Sequence, residues 1–181
     1  MLTLVVGGAA SGKSAYAERL IADTAGDAPR VYLATMRPFG AEAAVRIEKH
    51  RRQRAGAGFE TIECYVNLQA LTVPRGSAVL LEDIGNLCAN ELFDPSGGGD
   101  GAAEAIVRGV ARLREQCRSL AVVSNEVFTG GSDYRDDTAR YLSVLSYVNR
   151  RLAAMADNVC EVACGVPVYY KGQAPKAAVG L

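Results

Sequence analysis

The apolar positions of this chain fall into short unbroken runs separated by longer stretches of helical period. Leu2–Val6, Val31–Thr35, Ala78–Leu81 and Leu120–Ser124 are predominantly apolar and lack the alternation of a half-exposed strand. Runs of that length predict strands buried on both faces, as in a parallel sheet. Between them, Ala15–Ala22, Ala41–Arg54, Ala103–Cys117 and Asp136–Ala156 repeat apolar residues every third or fourth position, with Ile106, Val110, Leu113 and Cys117 on one face and Tyr141, Leu145, Val148, Leu152 and Met155 on another. These predict amphipathic helices. Phe59–Cys64 alternates like a short strand, and Asn158–Ala163 with Val166–Tyr170 reads as a final strand pair joined near Gly165, where Pro167 marks an edge. Gly26–Pro29, Gly56–Gly58, Asp94–Gly101 and Gly130-Gly131 supply the turns. The expected fold is α/β, a mostly parallel sheet flanked by helices with a C-terminal strand pair. Residues 1–171 are expected to form one domain and residues 172–181 a frayed tail.

The first run breaks into Gly7-Gly8-Ala9-Ala10-Ser11-Gly12-Lys13-Ser14, a G-x-x-x-x-G-K-S string between a strand and a helix. In that context the backbone N–H groups form a nest for phosphate oxygens, Lys13 reaches the β- and γ-phosphates, and Ser14 is placed to hold Mg²⁺. The fold expectation therefore becomes P-loop NTPase-like. Ala78–Leu81 runs directly into Glu82-Asp83, and a strand ending in carboxylates is how a P-loop protein reaches its metal ion. Ser14, Glu82 and Asp83 are the candidate metal ligands. The phosphate loop, Thr35, Glu82-Asp83 and Asn125-Glu126 all follow predicted strands, which gathers them at the carboxyl edge where open parallel sheets bind ligands.

Composition narrows the classes. Twenty acidic and twenty basic residues cancel, which argues against a dedicated nucleic-acid binder. No apolar stretch reaches the ~20 residues of a bilayer span, and no leader pattern opens the chain. The expectation is a cytoplasmic protein without a membrane span. The five cysteines, Cys64, Cys88, Cys117, Cys160 and Cys164, lack paired metal spacing and read as free thiols in a reducing compartment. On a strand, Cys160 and Cys164 would face the same side.

His50 is the only histidine, and Arg46, Lys49, Arg51, Arg52 and Arg54 lie within four residues of it. Surrounding cations disfavour imidazolium, so they keep the ring neutral and nucleophilic, and they can also clamp phosphate oxygens and stabilise a departing pyrophosphate. Arg46, one helical turn earlier, shares its face. A neutral imidazole attacking an α-phosphate would give a nucleotidyl-histidine. The residues alone leave three readings open: nucleotidyl transfer through His50, a P-loop small-molecule kinase without a covalent step, and a nucleotide-binding regulatory module.

GGAASGKS, YLAT, RIEKHRRQR with its R-I-x-x-H spacing, FETIE, LLED and VVSNEV, in that order, resemble the bifunctional adenosylcobinamide kinase/adenosylcobinamide-phosphate guanylyltransferase family of cobalamin biosynthesis. The resemblance implies phosphorylation of adenosylcobinamide, a corrinoid, by ATP or GTP, then transfer of GMP from GTP through a guanylyl-histidine to give adenosyl-GDP-cobinamide. It implies His50 as nucleophile beside the catalytic Lys13, and a guanine-nucleotide site containing Ala34, Thr35, Arg46, Arg51, Arg54, Glu63 and Glu82. Mg²⁺ with GTP or ATP and a homotrimer are implied as well. The chain differs from the family pattern at Ala10, Phe59, Asp83, Phe128 and Leu142-Ser143.

Overall fold

A computed structural model of the chain describes residues 1–38, 56–128 and 135–174. The predicted helix over 41–54, with Arg46, His50, Arg51 and Arg54, lies outside the described residues.

The apolar runs form strands that pair in parallel. The described elements are β1 (Leu2–Gly7), α1 (Lys13–Ala25), β2 (Arg30–Ala34), β3 (Phe59–Glu63), β4 (Ala78–Glu82), α2 (Ile84–Phe93), α3 (Ala102–Gln116), β5 (Ser119–Asn125), α4 (Asp136–Met155), β6 (Asn158–Ala163) and β7 (Val166–Lys171), with short 3₁₀ turns at Leu68–Ala70 and Gly99–Gly101. They make one seven-stranded sheet in the order β3-β2-β4-β5-β1-β6-β7. Every pairing is parallel except β6 with β7. β5 thus stands between β1, which carries the phosphate loop, and β4, which carries Glu82.

Both sheet faces are covered, which is why the central strands read as continuous apolar runs. On one face Leu2, Leu4, Val31, Leu33, Val79, Leu81, Leu120 and Val122 pack against α2, α3 and α4 through residues such as Leu87, Ile106, Val110, Leu145 and Leu152. On the other, Val5, Leu80, Ala121, Val123, Cys160 and Val162 meet Tyr16, Ala17, Leu20 and Ile21 of α1. Edge strand β7 is largely exposed and carries Pro167, as expected of an edge.

Two features depart from the sequence reading. Helix α2 falls where no element was expected: Asp83 Oδ1 accepts from the Asn86 N–H at 2.7 Å and starts a helix that buries Ile84, Leu87, Cys88 and Leu92. Cys160 and Cys164 do not share a strand face, because Cys164 lies in the β6–β7 turn with positive φ at both Cys164 and Gly165. That backbone matches the twist of a tight hairpin, so Cys160 is buried while Cys164 is exposed. All five cysteines are free thiols.

Candidate functional site

The phosphate loop is shaped by close approaches that only glycine permits at two positions. A Cβ on Gly7 would lie 2.5 Å from Ser11 Oγ and 2.8 Å from the Val162 carbonyl. Gly12 has φ +91°, and a Cβ there would stand 3.1 Å from Gly165 Cα. The Gly165 N–H donates to the Ser11 carbonyl at 2.8 Å, so the β6–β7 turn braces the loop from outside. Helix α1 begins at Lys13 with no side-chain cap and no acidic residue in its first turn. Its leading N–H groups are therefore left for an anion, at the positive end of the helix dipole. Lys13 is 9 % exposed, and its Nζ donates to the Gly8 carbonyl at 3.1 Å, folded over the loop it is expected to serve.

One turn into the site, Ser14 Oγ donates to Glu82 Oε1 at 2.5 Å. The contact spans the width of β5 and unites the two ends of the candidate metal site. Glu82 Oε2 is buried and has no hydrogen-bond partner. Burial, then the charge of neighbouring Asp83, pushes the Glu82 carboxyl up to about 8, while the Ser14 hydrogen bond and Lys13 pull it down. A buried carboxylate oxygen lacking a donor, beside a hydroxyl and a second carboxylate, is a hard oxygen set of the kind Mg²⁺ takes. Mg²⁺ completes its shell with waters and substrate phosphates rather than an all-protein cage, and among the described residues no group of three or more His, Cys, Asp and Glu side chains could hold a metal by itself.

Register explains how residues far apart in sequence meet. Ala34 is aligned with both Glu63 and Glu82 across β3, β2 and β4, while Gly7 is aligned with Asn125 across β1 and β5. Ala34, Glu63, Glu82 and the phosphate loop therefore lie along the carboxyl edge of the sheet. Thr35, fully buried, works inside this edge. Its Oγ1 accepts from the Asp83 N–H at 2.7 Å and lies 2.9 and 2.8 Å from the carbonyls of Glu82 and Asp83. Asp83 contributes one oxygen to the α2 cap, so of the two adjoining carboxylates Glu82 is the one joined directly to Ser14.

Several supporting residues carried no sequence signal. Asn90 Nδ2 donates to the Thr35 carbonyl at 2.8 Å and ties α2 to the end of β2. Ser124 Oγ donates to Asn149 Oδ1 at 2.6 Å, fixing β5 against α4 just before Asn125-Glu126. Arg37 pairs with Asp94 at 2.7 Å and lies over the Tyr65 ring, whose hydroxyl reaches Glu63. A period-based reading sees Asn90 and Asn149 only as polar positions on helices.

Comparison with known proteins gives consistent results. The model of the cobinamide kinase / cobinamide phosphate guanyltransferase family matches residues 3–170. The bifunctional adenosylcobalamin biosynthesis protein CobU of Salmonella typhimurium is 36% identical, with 94% of this chain and 100% of that protein covered. CobU of Escherichia coli is 32% identical over 94% of this chain and 100% of its own length. Among solved structures, the ATPase domain of G40P superposes with a TM-score of 0.50 at 13% identity, covering 88% of this chain and 68% of that one, a likeness of fold.

Proposed function

The chain belongs to the cobinamide kinase / cobinamide phosphate guanyltransferase family, and from that premise we propose that it phosphorylates adenosylcobinamide and then guanylylates the product through His50. The observation that carries the reading is the Ser14–Glu82 contact at the lip of the phosphate loop, with the Glu82 Oε2 left unpartnered.

In the first reaction the loop from Gly7 to Ser14 binds the phosphates of ATP or GTP through its N–H groups, and Lys13 turns from Gly8 to the β- and γ-phosphates. Ser14 and Glu82, with Asp83 beside them, would hold Mg²⁺, which neutralises phosphate charge when bound. Thr35 keeps the Glu82-Asp83 backbone in place. The corrinoid hydroxyl attacks the γ-phosphorus, the bond to the β-bridging oxygen breaks, and the nucleoside diphosphate leaves.

In the second reaction a ring nitrogen of His50 attacks the α-phosphorus of GTP and pyrophosphate departs. Arg46, Arg51 and Arg54 balance the charge on the phosphates, and Ala34, Thr35, Glu63 and Glu82 border the guanine nucleotide. A phosphate oxygen of the phosphorylated corrinoid then attacks the same phosphorus and frees His50. We assign both reactions to one domain, residues 1–171, working in the cytoplasm as a homotrimer. Among the described residues no helix is long and apolar enough to cross a membrane.

The two halves separate by labelling. With Mg²⁺ and α-labelled GTP, the wild type is expected to form an acid-labile, base-stable protein adduct that His50→Ala lacks. With γ-labelled nucleotide and adenosylcobinamide, His50→Ala still labels the corrinoid and Lys13→Ala does not. An adduct that persists in His50→Ala rules out the covalent step as written.

A further inference from the structure

Building on the reading that Glu63 borders the guanine nucleotide, we propose that Tyr65 and Arg37 are positioning residues that hold the Glu63 carboxylate toward the donor edge of guanine. They thereby set the preference for guanine over bases that lack its 2-amino group.

Four side chains from separate parts of the fold connect along the carboxyl edge. Glu63 ends β3, and Tyr65, two residues on, donates its hydroxyl to Glu63 Oε2 at 2.7 Å. The guanidinium carbon of Arg37, just beyond β2, lies 5.1 Å from the Tyr65 ring centroid. Arg37 Nη2 is in turn 2.7 Å from Oδ2 of Asp94, the residue that closes α2. The hydroxyl and N–H of Ser96, and then Arg37, hold the Asp94 carboxyl below the usual carboxylate range, so it stays an anion for the guanidinium to grip.

Each link constrains the next. The Arg37 side chain is only 25 % exposed, so its charge is partly desolvated and attracts both the ring face and the Asp94 carboxylate more strongly than in open water. The ring cannot swing away without breaking that contact. Its hydroxyl then fixes one oxygen of the Glu63 carboxylate.

The chemistry at the end of this chain favours guanine. Guanine presents two neighbouring donors, N1–H and the 2-amino group, which a carboxylate accepts with its two oxygens, whereas adenine presents an acceptor at N1. Each carboxylate oxygen has two lone-pair directions, so Oε2 can accept from Tyr65 and from the base together. A carboxylate already ordered loses less rotamer freedom on binding, and the gain falls on the ligand that uses both oxygens. Inosine, which lacks only the 2-amino group, cannot make the second bond.

Equilibrium binding of GMP and IMP to the full chain by calorimetry tests this, because neither monophosphate can label His50. The wild type is expected to favour GMP by about tenfold or more, and Glu63→Gln to lose most of that preference. Tyr65→Phe and Arg37→Met should each narrow the ratio by about three- to tenfold with an unchanged melting temperature, while Arg37→Lys, which keeps a cation for the ring, should restore part of it. If Glu63→Gln narrows the ratio and Tyr65→Phe and Arg37→Met leave it at the wild-type value, the positioning role is wrong and the Glu63 assignment stands. A wild type that does not discriminate, or a Glu63→Gln protein that still does, overturns both, and the fate of the His50 adduct is decided separately by the labelled-GTP experiment.

Discussion

Glu82 shows how one side chain can be poorly placed for the empty fold and well placed for its ligand. Its carboxyl keeps a proton up to about pH 8, against 4.5 for an ordinary glutamate, chiefly because burial disfavours the anion. Between those values the native state holds a proton that the unfolded chain releases, so this residue makes stability fall as the pH rises. Glu82→Gln removes the titration. In metal-free protein the melting temperature of Glu82→Gln relative to wild type should therefore climb from about pH 5 to about pH 8, and a difference flat across that range would refute the burial argument. The motif G-x-x-x-x-G-K-S and the strand ending in Glu82-Asp83 made these residues legible beforehand. The work of Thr35 and Asp83 was not, because both look like ligand-facing polar groups in sequence. In the fold Thr35 also bonds the backbone of Asp83, and one Asp83 oxygen caps a helix.

At the level of elements, strands were easier to read than the connections between them. Doubly buried strands announce themselves as apolar runs, and β1, β4 and β5 fall within a residue or two of expectation. Helix α2 was hidden because its N-cap looked like a metal ligand. Its function in the fold is clear from its contacts: Glu91, 2 % exposed, accepts from the N–H of Asn67 at 2.6 Å and of Gly98 at 2.7 Å, pinning the loops on either side of the helix. Helix α3 illustrates a second limit of local reading. Gly109 sits mid-helix, where alanine would be preferred by about 1 kcal/mol on propensity alone. A Cβ there would lie 2.9 Å from Leu68 Cβ and 3.1 Å from the Gln69 nitrogen, in the 3₁₀ turn packed against it. Gly109→Ala should consequently destabilise the protein by about 1–2 kcal/mol in denaturant titration despite the better helix former, and a stabilised variant would show that the turn yields freely.

Across the whole molecule, the sheet order turns a phosphate-binding motif into a site. Placing β5 between β1 and β4 aligns Gly7 with Asn125 and lets Ser14 reach Glu82, an arrangement that depends on pairing between distant runs and leaves no trace in periodicity. Sequence could place the polar groups at one edge of a parallel sheet, but not say which strands are neighbours. It could also single out His50 from its cationic surroundings and from the ordered motifs around it, although His50 lies outside the described residues. The decisive measurement is a chase from His50 to the corrinoid: protein labelled with α-labelled GTP is freed of nucleotide and mixed with adenosylcobinamide phosphate. The account predicts that label leaves the protein and appears in adenosyl-GDP-cobinamide in equal amount, in a single turnover. Label that stays on the protein, while the same preparation makes product from fresh GTP, would contradict it.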